Sequence, residues 1–595
     1  MRLSDNTICF ICVILAISLI VTAGMQLDFI NTKRQEMKLI VNAPLENAPP
    51  SLAFATVAMG AFRGLVVDAL WMRADRLKSE GQFFDAKQLA EWITVLQPRF
   101  AKVWEFQAWN MAYNISVAIP ATNPDQRWHW VKNGYEILRD KGIPLNPKKI
   151  LLYQELGRIF MHKIGGITDD AHKYYKLQLA LSIRDLLGDG SNEYYNELAK
   201  APKTINEVLS DPNYSSFIEG LKAADPVFED DDKFVSNYIS LRSNPEKYDP
   251  NAVMFLDFAK DTRSYDKFNI FANAYQLRKV WKLEPSLMVE LNQTYGPIDL
   301  ADPNNRLPLD WRLADVHAIY WAVLGLKVAG QDNVTVEETN TDRLVSHALQ
   351  SLFRNGSLYI YEPKKTIGKS DPNENSALVQ ANNVFLRPDL RMFESYNKAV
   401  MGTIAKYREK EGMKHGSFQS LEIGHRNMMK NAIFSFYQAG HVAYARKFYN
   451  EMRILYPLEE FRVPLEVYAK KRFQEELKVI DIISAGEIIN MMLREGYFRL
   501  AMYDDNEAAN RENLAKEIYD YYGRQFSDET RVELPDFKVL KFAAMFDFFN
   551  DRQYPSEMRE NLIERIRIEK PELAKEMMEI QRQYMLQDEK SKEQK

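Results

Sequence analysis

The sequence predicts an all-α chain of helical hairpins behind one N-terminal transmembrane helix, and three observations predict it. From Ser51 onward apolar residues recur mostly at three- and four-residue spacing, the mark of amphipathic helices. Short clusters containing Gly, Pro, Asn or Asp break these segments, as helix ends require. Ile8 to Ala23 is almost continuously apolar, and no later stretch is apolar enough to cross a bilayer. At 595 residues the chain also far exceeds what one core needs, so it divides into domains or stacks as an array.

Residues 1–6 form a short tail and Thr7 to Met25 the anchor, which as a helix extends about 28 Å, close to the hydrocarbon thickness of a bilayer. Val21-Thr22-Ala23 carries the small-residue pattern of a signal-peptidase site. The apolar run exceeds the ~7–15 residues of a signal-peptide core, however, which favours an uncleaved anchor. Arg2 precedes the span and Lys33, Arg34 and Lys38 follow it, so flanking charge leaves both orientations open. Cysteine usage points outward: Cys9 and Cys12 lie in the span and residues 26–595 have none, as suits an exported domain without disulfides. The soluble part of this single-pass membrane protein is therefore expected in the periplasm or otherwise outside the cytoplasm. Its composition, 46% hydrophobic and 27% charged, is globular. The net charge of −5, with acids and bases mixed and no basic stripe, argues against a nucleic-acid partner.

Beyond a linker at 26–50, the most specific signal is internal repetition. Gly81-Gln82-Phe83-Phe84-Asp85-Ala86, continuing to Pro98, has a turn glycine, an alanine five residues later and a closing proline; Gly440 to Pro457 repeats this with Ala445 and Tyr449. The preceding helix of such a unit is matched by Tyr153-x2-Leu156-Gly157-x2-Phe160, followed by Ala171-x3-Tyr175 after a turn about two residues long for the pattern. It is matched again by Trp321-x2-Leu324-Gly325-x2-Val328, and more weakly by Trp104-x2-Gln107-Ala108-x2-Met111, with Trp104 lying 34 residues after Leu70. In these segments the chain resembles the tetratricopeptide repeat, a helix–turn–helix of about 34 residues. Overall it is similar to membrane-anchored repeat proteins of some bacteria.

The resemblance implies an irregular helical-hairpin solenoid and no reaction. Small residues such as Gly157, Gly325, Ala86 and Ala445 would let the two helices of a unit approach, while large residues wedge between units, so that no unit buries its face alone. Residues 51–187 and 415–470 are expected as repeat units. Residues 188–305, richer in Pro, Asp and Asn, are expected as an irregular helical insertion with long loops, 306–414 as a helical middle region, 471–570 as C-terminal helices, and 571–595 as a polar tail. The acidic run Glu229 to Asp232 reads as a solvated loop. Val334 to Glu338 and Leu358 to Tyr361, rich in β-branched and aromatic residues, read as the two strands of a small hairpin.

The sequence carries fragments of several chemical motifs and completes none of them. The closest histidines, His162 with His172 and His415 with His425, are ten residues apart, where a metal pair on a helix needs three or four. Gly368-Lys369-Ser370 ends like a phosphate-binding loop, but Pro363 stands where a glycine must let the backbone curl. Asp371-x-Asn373-x-Asn375 begins like a calcium loop, yet Ser376 and Asn382 replace its glycine and glutamate. No nucleophile elbow or dinucleotide fingerprint occurs. No catalytic residue, metal or cofactor is therefore expected.

One cluster stands out: Asp310, Trp311 and Arg312, then His317, Tyr320 and Trp321, at the start of a helix after a proline-containing loop. Trp, Tyr and Arg dominate binding hot spots, and Asp310 is placed to cap the helix or to pair with Arg312. The same residues also fit a plainer reading, which we favour: a helix start packed by two tryptophans, with His317 satisfied in the core. The function expected is a membrane-tethered helical-repeat scaffold that binds protein partners in the cell envelope and is not an enzyme. The alternative is an envelope enzyme or glycan-binding protein using residues 310–321.

Overall fold

The computed structural model describes residues 63–302, 304–330, 335–361, 383–411, 417–477, 482–525, 534–551 and 553–579, together with isolated positions near either end. The span expected at 7–25, its linker, the loop motifs at 368–375 and the polar run from Gln587 lie outside the described residues or nearly so. Among the described residues no helix is long and apolar enough to cross a membrane. Backbone contacts divide the chain into two compact units, residues 1–72 with 95–97, and residues 73–94 with 98–595. The first contributes the opening of helix α1 (Arg63–Ser79); the second holds the elements that follow.

The fold is almost entirely helical, as periodicity predicts. After α2 (Phe83–Leu96), α3 (101–118) packs on α4 (124–145), and α5 (150–164) on α6 (His172–Arg184). Past an insertion, α7 (Ala314–Ala329) pairs with α8 (Val336–Asn355), and α9 (Phe393–Glu411) lies between α8 and α10 (Ser417–Gln438). Then α10 pairs with α11 (Val442–Leu455), which touches α12 (Leu465–Leu477). The C-terminal core joins α13 (Ile482–Ala501), α14 (Asp505–Gln525), α15 (Phe537–Asn550) and α16 (Ser556–Glu569).

The two predicted turn glycines have the same geometry. Gly81 at φ 78° and Gly440 at φ 77° occupy the left-handed region that only glycine enters without strain. Each turn is locked by the next residue's N–H on a carbonyl five positions back, Gln82 to Leu77 at 2.8 Å and His441 to Phe436 at 2.9 Å. Ala86 and Ala445 are fully buried behind them.

The other two small residues act differently from expectation. Gly157 and Gly325 do not bring together the two helices of one hairpin; they let α5 and α7 cross, although 188–305 intervenes in sequence. A Cβ on Gly325 would stand 2.5 Å from Cβ of Tyr153, and one on Gly157 would stand 3.2 Å from the Ala318 carbonyl oxygen. Absence of side chains on both helices thus joins the segment before the insertion to the segment after it.

Two local expectations are corrected. Residues 335–338 are not a strand: Thr335 caps α8, its hydroxyl accepting the Glu338 N–H at 3.1 Å, and this T-x-x-E cap outweighs the β-branched composition. Leu358 does lie in a strand, β1 (Ser357–Ile360), but its antiparallel partner is β2 (Val384–Arg387), with Leu358 opposite Leu386. The acidic run is not all loop either. Asp230 caps the helix Asp231–Ser243, accepting the Asp232 N–H at 3.1 Å, while Asp231 and Asp232 occupy its positively polarised first turn. The insertion carries a core of its own, centred on Phe217, Phe234, Tyr238 and Phe268, with Tyr238 edge-on to Phe268 at 5.0 Å.

Candidate functional site

The segment 310–321 enters the interior where α7 starts. Trp311, His317, Tyr320 and Trp321 each expose 2% or less of their surface, so they present no face to a ligand. Trp311 donates its indole N–H to Oδ1 of Asn292 at 3.0 Å, and the same oxygen accepts the Leu309 N–H at 3.1 Å. His317 stacks on Phe160 at 5.0 Å, and its Nε2 lies 2.9 Å from the Trp311 carbonyl. The Tyr320 hydroxyl accepts the Glu284 N–H at 2.7 Å, and its ring meets Trp321 edge-on at 5.3 Å. Burial pushes the His317 imidazole down to about 4 against the opposing effect of its backbone hydrogen bond, so the ring is neutral at pH 7.

Asp310 and Arg312 are the two members of the cluster that reach a surface. Asp310 does not cap α7; it accepts Arg312 through Oδ1 from Nε at 2.8 Å and through Oδ2 from Nη2 at 2.7 Å. Asp389 and Arg391 build the same clamp, at 2.8 Å for both bonds. The two clamps line one chamber of about 220 Å³. Ser357, Tyr359, Asp389 and Arg391 line both this chamber and a larger cavity of about 520 Å³.

The larger cavity is the candidate site, and its wall is drawn from Leu300 and four stretches of sequence, 353–359, 388–391, 428–441 and 499–511. Arg354 ends α8; Asn431, Ser435 and Gln438 share a face of α10; Arg499 closes α13; and Glu507 and Arg511 open α14. Arg499 is fixed, donating to Glu495 at 2.9 Å and to Asp504 and the Tyr359 hydroxyl at 3.0 Å each. Sequence reasoning missed this site because helical carboxylates and guanidiniums cannot be paired across a fold from spacing alone. The readable signal was the recurrence of Asp-x-Arg one or two residues after a proline, at 310–312 and at 389–391, each ahead of a helix.

A second group of buried charges joins Asp315 of α7 to Lys176 of α6. Asp315 is enclosed, and its Oδ1 has no hydrogen-bond partner among the described residues. Burial pushes its carboxyl up to about 7 despite a Ser351 hydrogen bond and the nearby Lys176 charge. Burial also brings Lys176 down to about 8, against the pull of Asp315 and Asp169. Because the folded value of Asp315 lies above its ordinary 3.8, this group's contribution is fully present below pH 3.8 and is lost as pH rises through about 7. Asp315→Asn removes that dependence. In urea unfolding the variant is therefore expected to gain about 2 kcal/mol on wild type between pH 5 and pH 7.5. An unchanged gap across that range would show that Asp315 is not strained by burial.

On the surface of the N-terminal hairpins, α2 exposes Phe84 (57%) and Trp92 (51%). The Phe84 ring meets Trp130 of α4 edge-on at 5.6 Å, with the Lys87 ammonium 6.0 Å from the Trp130 ring centre. Neither a protein-family model nor a curated protein sequence matches this chain.

Proposed function

We propose that the chain is a membrane-tethered helical-repeat scaffold that recruits protein partners in the cell envelope. The observations that carry this reading are the exposed Phe84 and Trp92 of α2 and the edge-on contact of Phe84 with Trp130 of α4. Exposed tryptophan is characteristic of protein-binding hot spots, and stacked hairpins extend such exposed faces into surfaces. The tether rests on the uncharged run from Asn6 to Leu27, and the extracytoplasmic placement on the confinement of both cysteines to that run. The tetratricopeptide-like order of the units rests on the turn glycines Gly81 and Gly440 and the buried alanines behind them. An enzyme or glycan site at 310–321 gains little support, since four of its six residues are enclosed.

Crosslinking in cells followed by capture of the full-length chain tests the scaffold. The same proteins are expected to co-purify reproducibly, and Phe84→Ser with Trp92→Ser should reduce their yield at least tenfold without altering thermal unfolding. Unchanged yield removes these two residues from the reading, and absence of any reproducible partner removes the scaffold itself. Protease added to cells with a permeabilised outer layer is expected to digest residues 26–595; survival of that part until the inner membrane is lysed reverses the proposed orientation.

A further inference from the structure

The 520 Å³ cavity holds two opposite charges, Arg354 and Glu507, that their neighbours hold only loosely. Among the described residues, Arg354 makes one side-chain hydrogen bond, from Nη2 to the Met428 thioether at 3.7 Å, a weak acceptor for a guanidinium. Glu507 makes two long ion pairs, with Arg511 Nη2 at 3.8 Å and His441 Nε2 at 4.0 Å, both beyond hydrogen-bonding distance. Arg511 Nε is buried in the same wall without a partner. The contrast with the neighbouring charges is sharp. Arg391, Asp389, Arg499 and Asp504 all hold short charge-assisted bonds, which shows that this region can pair charges when they serve the fold.

A wall that keeps one guanidinium and one carboxylate available, with the Ser435 hydroxyl and the Gln438 amide on the face of α10 that lines the same space, complements a ligand carrying both signs. We propose that this cavity binds a small zwitterion of the amino-acid or short-peptide class, its carboxylate taken by Arg354 with help from Arg511, and its ammonium by Glu507. A purely anionic ligand would leave Glu507 repelling it, and a purely cationic one would meet Arg354 and Arg511 unpaired. The volume falls within the ~300–1,000 Å³ of small-molecule sites, ample for a tripeptide. This site is independent of the exposed Phe84 and Trp92 of α2 and stands or falls separately from them.

Titration calorimetry of the full-length chain with triglycine tests the proposal, with N-acetyl-triglycine and triglycine amide as probes that each keep one charge. Triglycine is expected to bind saturably, and each capped probe at least tenfold more weakly. Arg354→Gln should weaken triglycine and N-acetyl-triglycine at least tenfold while leaving triglycine amide within twofold; Glu507→Gln should do the reverse. Both side chains lie at the cavity surface, so thermal unfolding of the variants should stay close to wild type. Should Glu507→Gln fail to fold, Glu507→Asp withdraws the carboxylate and reads the same arm. Absence of saturable triglycine binding overturns the proposal, as does binding that both variants leave within twofold, or equal binding of triglycine and a capped probe.

Discussion

Trp311→Ala is expected to lower the free energy of unfolding by about 3–5 kcal/mol, the range for emptying a large aromatic site in a packed interior. Trp311 is wholly enclosed, and its ring packs edge-on against Tyr320 at 6.0 Å and His317 at 6.2 Å. The loss extends past the cavity. The Asn292 side chain spans Trp311 and the Leu309 backbone, so removing the indole N–H leaves a buried amide oxygen with one bond instead of two. Arg312→Gln, by contrast, breaks a partly exposed clamp, with about a third of the Arg312 side chain accessible, and should cost no more than about 1 kcal/mol. Denaturant unfolding of the two variants separates a core role for the cluster from a binding role. A loss below about 1 kcal/mol for Trp311→Ala would mean that the cluster is not part of the core and would reopen it as a recognition surface.

That contrast also marks what could be read from sequence. Helices were legible wherever an apolar period of three or four ran between breakers, and turn residues were legible where a single chemistry has one use, as at Gly81 and Gly440. Partners across the fold were not. Gly157 and Gly325 were recognisable as close-approach positions, yet nothing local says that the close approach is between α5 and α7 across an insertion, beside the packing of α5 on its hairpin mate α6. The strand at Leu358 was visible as a β-rich run, but its partner Leu386 lies beyond a long connection, and the competing run at 335–338 was claimed by a helix cap. Of the candidate site, the composition of 310–321 stood out for the reason that large aromatics stand out, which is equally a property of cores and of hot spots. The cavity wall went unread because it is assembled from charged, polar and apolar residues scattered between 300 and 511, which no local spacing connects.

The turn between α5 and α6, longer than the tetratricopeptide pattern by about two residues, holds the charge whose removal should have the other largest effect. Asp169 lies in that turn, buried, and accepts Lys163 Nζ at 2.6 Å, Arg127 Nη1 at 3.0 Å, the Ala171 N–H at 2.9 Å and the Tyr175 hydroxyl at 3.3 Å. Lys163 comes from the π turn at the end of α5 and Arg127 from α4, and both are as buried as the carboxylate. Asp169→Asn preserves the shape but leaves two enclosed cations facing each other, so a loss of about 3–5 kcal/mol is expected at pH 7. Burial alone would raise the Asp169 pKa, but the Lys163 and Ala171 hydrogen bonds and the two cations outweigh it and hold the group below 3.8. Its contribution is therefore present above pH 3.8 and lost as pH falls through the lower folded value. The gap between variant and wild type should hold from pH 7 to pH 5 and close only in stronger acid. On the alkaline side, burial already lowers Lys163, and without its carboxylate it sheds its proton more readily, so the gap should narrow as pH rises toward the ordinary lysine value of 10.5. Unfolding midpoints at pH 5, 7 and 10 measure all three. A loss under about 1 kcal/mol at pH 7, or a gap that widens toward pH 10, would show that Lys163 and Arg127 find other partners and that the turn is not held by its aspartate.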